Sequence, residues 1–203
     1  MRIPSSGRTL AATLFTPELP SGAAVLFLHG WNSDRSGYAP RARPLTDRLG
    51  LTCLTVDLGG HGESTGDQTT LTSEDLLADA AAAYDTLAAE PGVDPKRIGV
   101  CGASFGGHLA ARLTAERPVS RLVLRAPALP PNTPALEAIR AFDGDTLVVE
   151  SRADESIPSS TVQAYVAAAR HAEHHVIEAT HALVTPAANA AFVAELLAWF
   201  ADL

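Results

Sequence analysis

The sequence contains little cysteine, no long hydrophobic run and a deficit of positive charge, and each shortage excludes a class of protein. Its 203 residues include 15 Lys or Arg against 23 Asp or Glu, for a net charge of -8. We expect no nucleic-acid partner, because binding to phosphates requires clustered basic residues. No apolar run reaches the roughly 18 residues that cross a bilayer, so we expect no membrane association. The N-terminal segment lacks the apolar core of a secretion signal, which favours a cytoplasmic protein.

The two cysteines, Cys53 and Cys101, lie in apolar segments that are typical of buried strands. In the sheet expected below, another strand lies between theirs, which separates the two residues by about 9–10 Å. A disulfide requires a Cα separation below about 7 Å. We therefore predict two buried, reduced thiols.

The composition is that of a globular domain, with 46% apolar and 19% charged residues. The length suits one well-buried core and is short for two. We find no internal repeat and no linker, so we predict a single domain over residues 1–203. The protein is expected to be a monomer or a homodimer.

Short apolar runs alternate with Ala-rich helical segments along the whole chain. Continuous apolar runs indicate strands covered on both faces, and strand–helix alternation predicts a doubly wound, mostly parallel α/β sheet. In such sheets ligands bind beyond the carboxyl ends of the strands. The predicted strands are Ala23–Leu28, Leu51–Leu58, Arg97–Cys101, Arg121–Arg125, Thr146–Glu150 and Glu173–Glu178, with an N-terminal hairpin of Met1–Pro4 and Arg8–Thr16. The predicted helices are Tyr38–Leu49, Thr72–Ala89, Phe105–Glu116, Ser159–His171 and Pro186–Asp202.

The third central strand runs into the motif Gly102-Ala103-Ser104-Phe105-Gly106, which has the G-x-S-x-G pattern of a nucleophile elbow. The positions two before and two after the serine crowd the backbone of a tight strand-to-helix turn, so they must be small. The turn presents the Ser104 hydroxyl at the start of a helix, whose N-terminus favours a developing oxyanion. The strand and helix on either side favour this interpretation over an incidental serine in a glycine-rich turn.

A serine hydroxyl needs a base within hydrogen-bond reach, and that base needs an orienting acid. In this type of fold the order along the chain is serine, acid, histidine. Asp154 and His181 follow the last two predicted strands in that order, so we predict Asp154 as the acid and His181 as the general base. Glu155 is the alternative acid.

The other histidines are less suited to catalysis. The cluster of His171, His174 and His175 lacks a regular ligand spacing, so we expect no metal. We assign no chemistry to His108. After the first central strand, the Trp31 N–H is expected to join the Phe105 N–H in an oxyanion hole. His29 is interpreted as structural, and His61 as part of a tight loop, with substrate contact as the alternative.

Taken together, these motifs resemble the α/β-hydrolase superfamily, and most of all its dienelactone-hydrolase-like and small serine esterase branches. The resemblance spans about residues 3 to 203. It implies an α/β-hydrolase fold with a sheet of seven or eight strands, no cofactor, and a catalytic triad of Ser104, Asp154 and His181. The motifs that carry it are His29-Gly30-Trp31, Asp57-x-x-Gly60-His61-Gly62-x-Ser64, Gly102-x-Ser104-x-Gly106, Asp154-x-x-Ile157-Pro158 and His181.

The sequence departs from these relatives in two ways. Dienelactone hydrolases use a cysteine nucleophile, whereas this chain has serine, which favours ester or thioester substrates. Residues 126–145, where many relatives carry a helical cap, are few and include four prolines, so we expect an open site with a minimal cap or none. Its candidate walls are Trp31, Tyr38, Phe105 and Leu129.

We expect a carboxylic ester hydrolase acting on a small-molecule ester or thioester through an acyl-enzyme. A thioesterase or peptidase with the same triad is an alternative. A catalytically silent binding protein with the same fold is another, since fold alone does not give function.

Overall fold

A single eight-stranded sheet organises the chain in the computed structural model, which describes all residues from Met1 to Leu203. The strand order is β1-β2-β4-β3-β5-β6-β7-β8, with β1 and β2 antiparallel to their neighbours and the other strands parallel. The predicted α/β-hydrolase fold is confirmed. The strands are β1 Arg2–Ser5, β2 Arg8–Phe15, β3 Ala24–Leu28, β4 Thr52–Val56, β5 Ile98–Ala103, β6 Arg121–Arg125, β7 Asp145–Ala153 and β8 Ala172–Thr180.

Helices cover both faces of the sheet and divide the buried apolar residues into two clusters. On β3, Leu26 and Leu28 face one cluster, while Val25 and Phe27 face the other. The first cluster lies under α2 to α5 and the second under α1 and α6. No helix is both long enough and apolar enough to cross a membrane. The helices are α1 Ala39–Leu49, α2 Ser73–Ala88, α3 Phe105–Leu113, α4 Ala135–Ala141, α5 Ser159–Ala168 and α6 Pro186–Trp199.

Local sequence signals explain where several elements begin. Thr72 caps α2 by accepting a hydrogen bond from the Asp75 N–H, and the Asp75 carboxylate accepts one from the Thr72 N–H, as in a capping box. Pro186 occupies the first turn of α6, where its missing N–H costs nothing. Both starts agree with the sequence prediction.

Two short elements were not predicted: helix α4 and a 3-10 turn over Arg35–Tyr38. Helix α4 lies in the proline-rich interval after β6 and has only seven residues. The prolines before it are typical of a loop, so the sequence does not indicate a helix there. Three predicted helices run a few residues too long, because terminal turns are the least determined by local sequence. Strand β8 is longer than predicted, and its added residues bring the chain directly to His181.

The cysteines lie as expected. Cys53 is on β4 and Cys101 on β5, with β3 between them, and both are free and buried. Burial raises the pKa of each thiol to about 12.

Candidate active site

The turn from β5 into α3 holds Ser104 in a strained conformation, with φ 53° and ψ -120°. Such a backbone is sparsely populated for a residue with a side chain and persists only where the surroundings enforce it. A Cβ added to Gly102 would lie 2.2 Å from the Gly106 carbonyl oxygen. One added to Gly106 would lie 2.2 Å from the Leu28 oxygen. The two glycines therefore let α3 start directly against β3 and β5.

Hydrogen bonds fix the Ser104 backbone on both sides. Its N–H donates to the Arg125 carbonyl at 3.0 Å. Its carbonyl accepts from the N–H groups of Gly107, His108 and Ala128 at 3.0, 3.1 and 2.9 Å. The nucleophile position is thus tied to the end of β6 as well as to α3.

Asp154 and His181 are brought together by the pairing of the last two strands. Ala153 pairs with Thr180 after a bulge in the β7–β8 ladder, so the next residue of each strand emerges at the same edge. The His181 Nδ1–H donates to Asp154 Oδ2 at 2.9 Å. Their side chains are 19% and 5% exposed, respectively. The imidazole is therefore oriented by a nearly buried carboxylate.

The second oxygen of Asp154 also has partners. Oδ1 accepts from the Ser156 and Ile157 N–H groups at 2.9 and 2.8 Å. Burial opposes the ionisation of Asp154, but the hydrogen bonds from Ile157, His181 and Ser156 outweigh it and lower its pKa. The alternative acid, Glu155, is exposed and contacts only the backbone N–H of His181, at 3.4 Å. Asp154 is thus the acid that contacts the imidazole.

Ser104 and His181 line the same open cavity of about 320 Å³. No hydrogen bond joins the Ser104 hydroxyl to the imidazole of His181, whose Nδ1 contacts Asp154. Such contacts are often long in free enzymes and tighten when substrate binds. The structure therefore brings all three predicted residues to one edge of the sheet and connects two of them directly.

Two backbone N–H groups beside Ser104 are free to bind an oxyanion. The Phe105 N–H opens α3, so it has no partner within the helix. The Trp31 N–H donates to no protein group. A Cβ added to Gly30 would lie 3.1 Å from the Ser104 Cβ, which shows how closely the loop after β3 approaches the serine.

His29 and His61 form an aromatic cluster beneath Trp31. His29 Nε2 accepts from the Leu58 N–H at 3.0 Å and its Nδ1 donates to the Gly30 carbonyl at 2.8 Å. Burial lowers the pKa of His29 to about 4, so it is a neutral connector of two loops. The His61 ring lies 5.2 Å from the Trp31 ring, but His61 does not line the Ser104 cavity.

The candidate walls divide into two groups. Trp31 and Tyr38 line the Ser104 cavity, as expected. Phe105 does not, although its ring packs edge-on against Trp31 with centroids 5.2 Å apart. Leu129 does not line it either, because it packs, partly buried, against the first apolar cluster.

Two arginines that the sequence analysis did not single out, Arg41 and Arg125, also line this cavity. The position of Arg125 as the last residue of a predicted parallel strand is a signal that could have found it. Arg41 lies within helix α1, where the sequence gives no such signal.

The remaining histidines lie outside the cavity. His174 pairs with Glu150 at 2.9 Å and His175 with Glu195 at 2.7 Å. His108 contacts the Ser73 hydroxyl at 3.1 Å, and burial lowers its pKa to about 4. No three His, Cys, Asp or Glu side chains converge in a way that could hold a metal ion.

Residues 20–203 match the family model described as serine aminopeptidase, S33. The chain belongs to this family of the α/β-hydrolase superfamily. An uncharacterised protein of Mycobacterium tuberculosis is 32% identical over 176 residues, which cover 77% of this chain and 61% of that protein. The chain thus spans about three fifths of the length of this relative.

Solved structures of an esterase and a lactonase share the fold of this chain. Est1E from Butyrivibrio proteoclasticus, solved with ferulic acid bound, has a TM-score of 0.85 at 18% identity, with each chain covered completely. The enol-lactonase from Burkholderia xenovorans has a TM-score of 0.84 at 16% identity, again over the full length of both chains. Similarity at this level of identity establishes the fold, and the family match places the chain in the α/β-hydrolase superfamily.

Proposed function

We propose that the protein is a serine hydrolase that cleaves carboxylic esters through an acyl-enzyme on Ser104. The observation that carries the proposal is the 2.9 Å hydrogen bond from His181 to the nearly buried Asp154, at the rim of the cavity that also holds the strained Ser104. The shared folds of Est1E and the enol-lactonase support an assignment to the dienelactone-hydrolase-like and small esterase branches.

Each group has a defined step in this mechanism. Ser104 Oγ attacks the acyl carbon while His181 Nε2 takes its proton, and Asp154 stabilises the resulting imidazolium. The N–H groups of Trp31 and Phe105 bind the tetrahedral oxyanion. His181 then gives the proton to the leaving alcohol, and water repeats the sequence on the acyl-enzyme to release the acid.

The cavity disfavours an aminopeptidase despite the family's description. Carboxylates are the groups that best hold a substrate's cationic N-terminus, whereas none of the residues lining the Ser104 cavity is Asp or Glu. Arg41 and Arg125 would instead repel such a group. A thioester would form the same acyl-enzyme as an ester, so thioesters belong in the substrate panel.

The test compares Ser104→Ala with the wild-type protein on short-chain p-nitrophenyl esters, thioesters and aminoacyl amides. Loss of the nucleophile should lower kcat on the preferred ester by at least about 10⁴-fold, since the triad acts as a unit. Ser156→Ala is a matched control, because the Ser156 side chain is exposed and only its backbone N–H contacts Asp154. Labelling by a fluorophosphonate, mapped by mass spectrometry, should occur at Ser104. Unchanged turnover in Ser104→Ala would exclude the proposed nucleophile.

A further inference from the structure

Arg125 ends β6 at the floor of the Ser104 cavity and is only 6% exposed. Val123, two residues earlier, faces the core under α1 and α6, so strand alternation points Arg125 to the same side. Arg125 lies opposite Ala103 in the β5–β6 ladder, next to the backbone of Ser104. A guanidinium therefore lies within the cavity that holds the proposed nucleophile.

No carboxylate neutralises this buried charge. The only hydrogen bond of the guanidinium is a long one, 3.5 Å from Nη1 to the Ser151 hydroxyl, and Nε is buried with no partner. Asp154 is close enough to influence Arg125 electrostatically, but its oxygens already accept from His181 and two backbone N–H groups. Arginine stays protonated in proteins, so the uncompensated cation is unfavourable until an anion binds.

Arg41 brings a second positive charge to the same cavity from α1. Its Nε donates to Asn189 Oδ1 at 3.0 Å and its guanidinium lies 5.0 Å from the centre of the Tyr38 ring, but it has no acidic partner. By contrast, Arg8 and Arg35 elsewhere in the chain each pair with Asp or Glu. Two arginines without acidic partners thus line a cavity whose lining contains no carboxylate.

We propose that the substrate is an ester whose acyl chain carries a carboxylate, which Arg125 and Arg41 bind while the ester carbonyl lies at Ser104. The planar guanidinium matches a carboxylate with two parallel hydrogen bonds. The leaving alcohol departs past His181, at the more exposed side of the cavity, so the group that reaches the buried Arg125 belongs to the acyl part. This substrate class rests on the proposed esterase function.

The test compares two esters of equal chain length, p-nitrophenyl hemiadipate and p-nitrophenyl hexanoate. The wild-type protein should prefer the anionic ester in kcat/KM by at least about tenfold. Arg125→Met should reduce the ratio of the two kcat/KM values by roughly 10- to 100-fold, since it removes charge-assisted hydrogen bonds. Arg125→Lys should restore part of the ratio, because it keeps the charge. A purely structural role of Arg125 would lower both activities together and leave the ratio unchanged.

Arg43→Met is the matched control, because Arg43 also lies on α1 but its guanidinium sits over the Phe15 ring, 5.4 Å from its centre and outside the cavity. It should leave the ratio unchanged. If Arg125→Met does not fold, Arg41→Gln applies the same test from the cavity's other side.

The possible failures can be told apart. Equal kcat/KM values for the two esters in the wild-type protein, or a ratio unaltered in both arginine variants, would overturn the anion site and leave the esterase proposal intact. Hydrolysis of neither ester, with no fluorophosphonate labelling, would instead count against the esterase. In that case calorimetric titration with adipate decides the anion site: binding that is lost in Arg125→Met supports it, and no binding to the wild-type protein overturns it.

Discussion

Replacing Asp154 with Asn should abolish most activity through a specific hydrogen-bond conflict. Asp154 Oδ1 accepts from the N–H groups of Ser156 and Ile157, at 2.9 and 2.8 Å, and Oδ2 accepts from His181 at 2.9 Å. An asparagine keeps two backbone bonds by leaving its oxygen at the Oδ1 position. Its NH₂ group then faces His181 Nδ1, which must become an acceptor. The proton moves to Nε2, and the imidazole can no longer take the proton of Ser104.

The expected loss in kcat is about 10⁴-fold, the magnitude that a wrong imidazole tautomer causes in serine proteases. The effect on folding is smaller. Two of the three hydrogen bonds to the carboxylate become weaker bonds to a neutral amide, and the bond with His181 reverses its direction. We expect these changes to lower the free energy of unfolding by about 1–2 kcal/mol. For a chain of this length that lowers Tm by about 2–8 °C. Asp154→Asn should therefore be folded at room temperature and inactive.

The assay is steady-state hydrolysis of the preferred p-nitrophenyl ester, with thermal unfolding followed in parallel. Glu155→Gln is the matched control, because Glu155 contacts only the backbone of His181 and is exposed. It should keep kcat within about threefold, as for other changes at exposed charges. An Asp154→Asn variant that retains more than a tenth of wild-type kcat, or a greater loss in Glu155→Gln, would rule out Asp154 as the orienting acid.

The same carboxylate gives a prediction for acid unfolding. The pKa of Asp154 is lowered in the folded state, so its stabilising contribution is present above the unfolded value of about 3.9 and is lost as the pH falls through the folded value. The Tm difference between wild type and Asp154→Asn should be constant near neutral pH and shrink below about pH 4. A difference that grows on acidification would contradict this assignment.

Two further predictions concern folding. Gly106→Ala should destabilise the protein by about 3 kcal/mol or more in urea unfolding, because the new Cβ meets the Leu28 oxygen, whereas Gly37→Ala, with no atom within 4 Å, should change stability by less than about 0.5 kcal/mol. His29 and His108 have their pKa values lowered from 6.5 to about 4 by burial, so the unfolded chain binds protons first and stability should fall as the pH drops from about 6.5 to about 4. His108→Gln should make that fall less steep, and an equally steep fall would show that His108 is not buried in its neutral form.

The sequence was sufficient to predict the central sheet because its strands are covered on both faces. Val25 and Leu26 point to opposite faces of the sheet, and both are buried in apolar clusters. The apolar run is therefore continuous, which is typical of a strand covered by helices on both faces. The glycines of the elbow were equally informative, since Gly102 and Gly106 leave no space for a Cβ. These positions were predictable because backbone sterics alone decide their residue type.

Other features depend on tertiary contacts that no local pattern reveals. Leu129 was predicted as a wall of an open site, but the structure packs it, partly buried, against the apolar cluster on one face of the sheet. The sequence marks Arg125 as the end of an apolar strand, but only the structure shows that it lacks an acidic partner and so differs from an ion-paired strand end. Helix α4 is short and stabilised by the buried Ala138 and Ile139 rather than by its own propensity.

The charge in the cavity is opposite in sign to the net charge of the chain, and it favours anionic substrates. The chain carries -8 overall, so at long range it repels anions. Arg41 and the buried Arg125 face the cavity with no acidic residue among its lining residues, and burial strengthens their local interactions. An anionic acyl chain therefore gains charge-assisted contacts at the cavity floor that a neutral chain of equal length cannot form. The encounter should be slow at low ionic strength and faster when salt screens the outer charge, while tight contacts at the floor are screened less. A kcat/KM for the anionic ester that rises at moderate salt would fit this arrangement of charges.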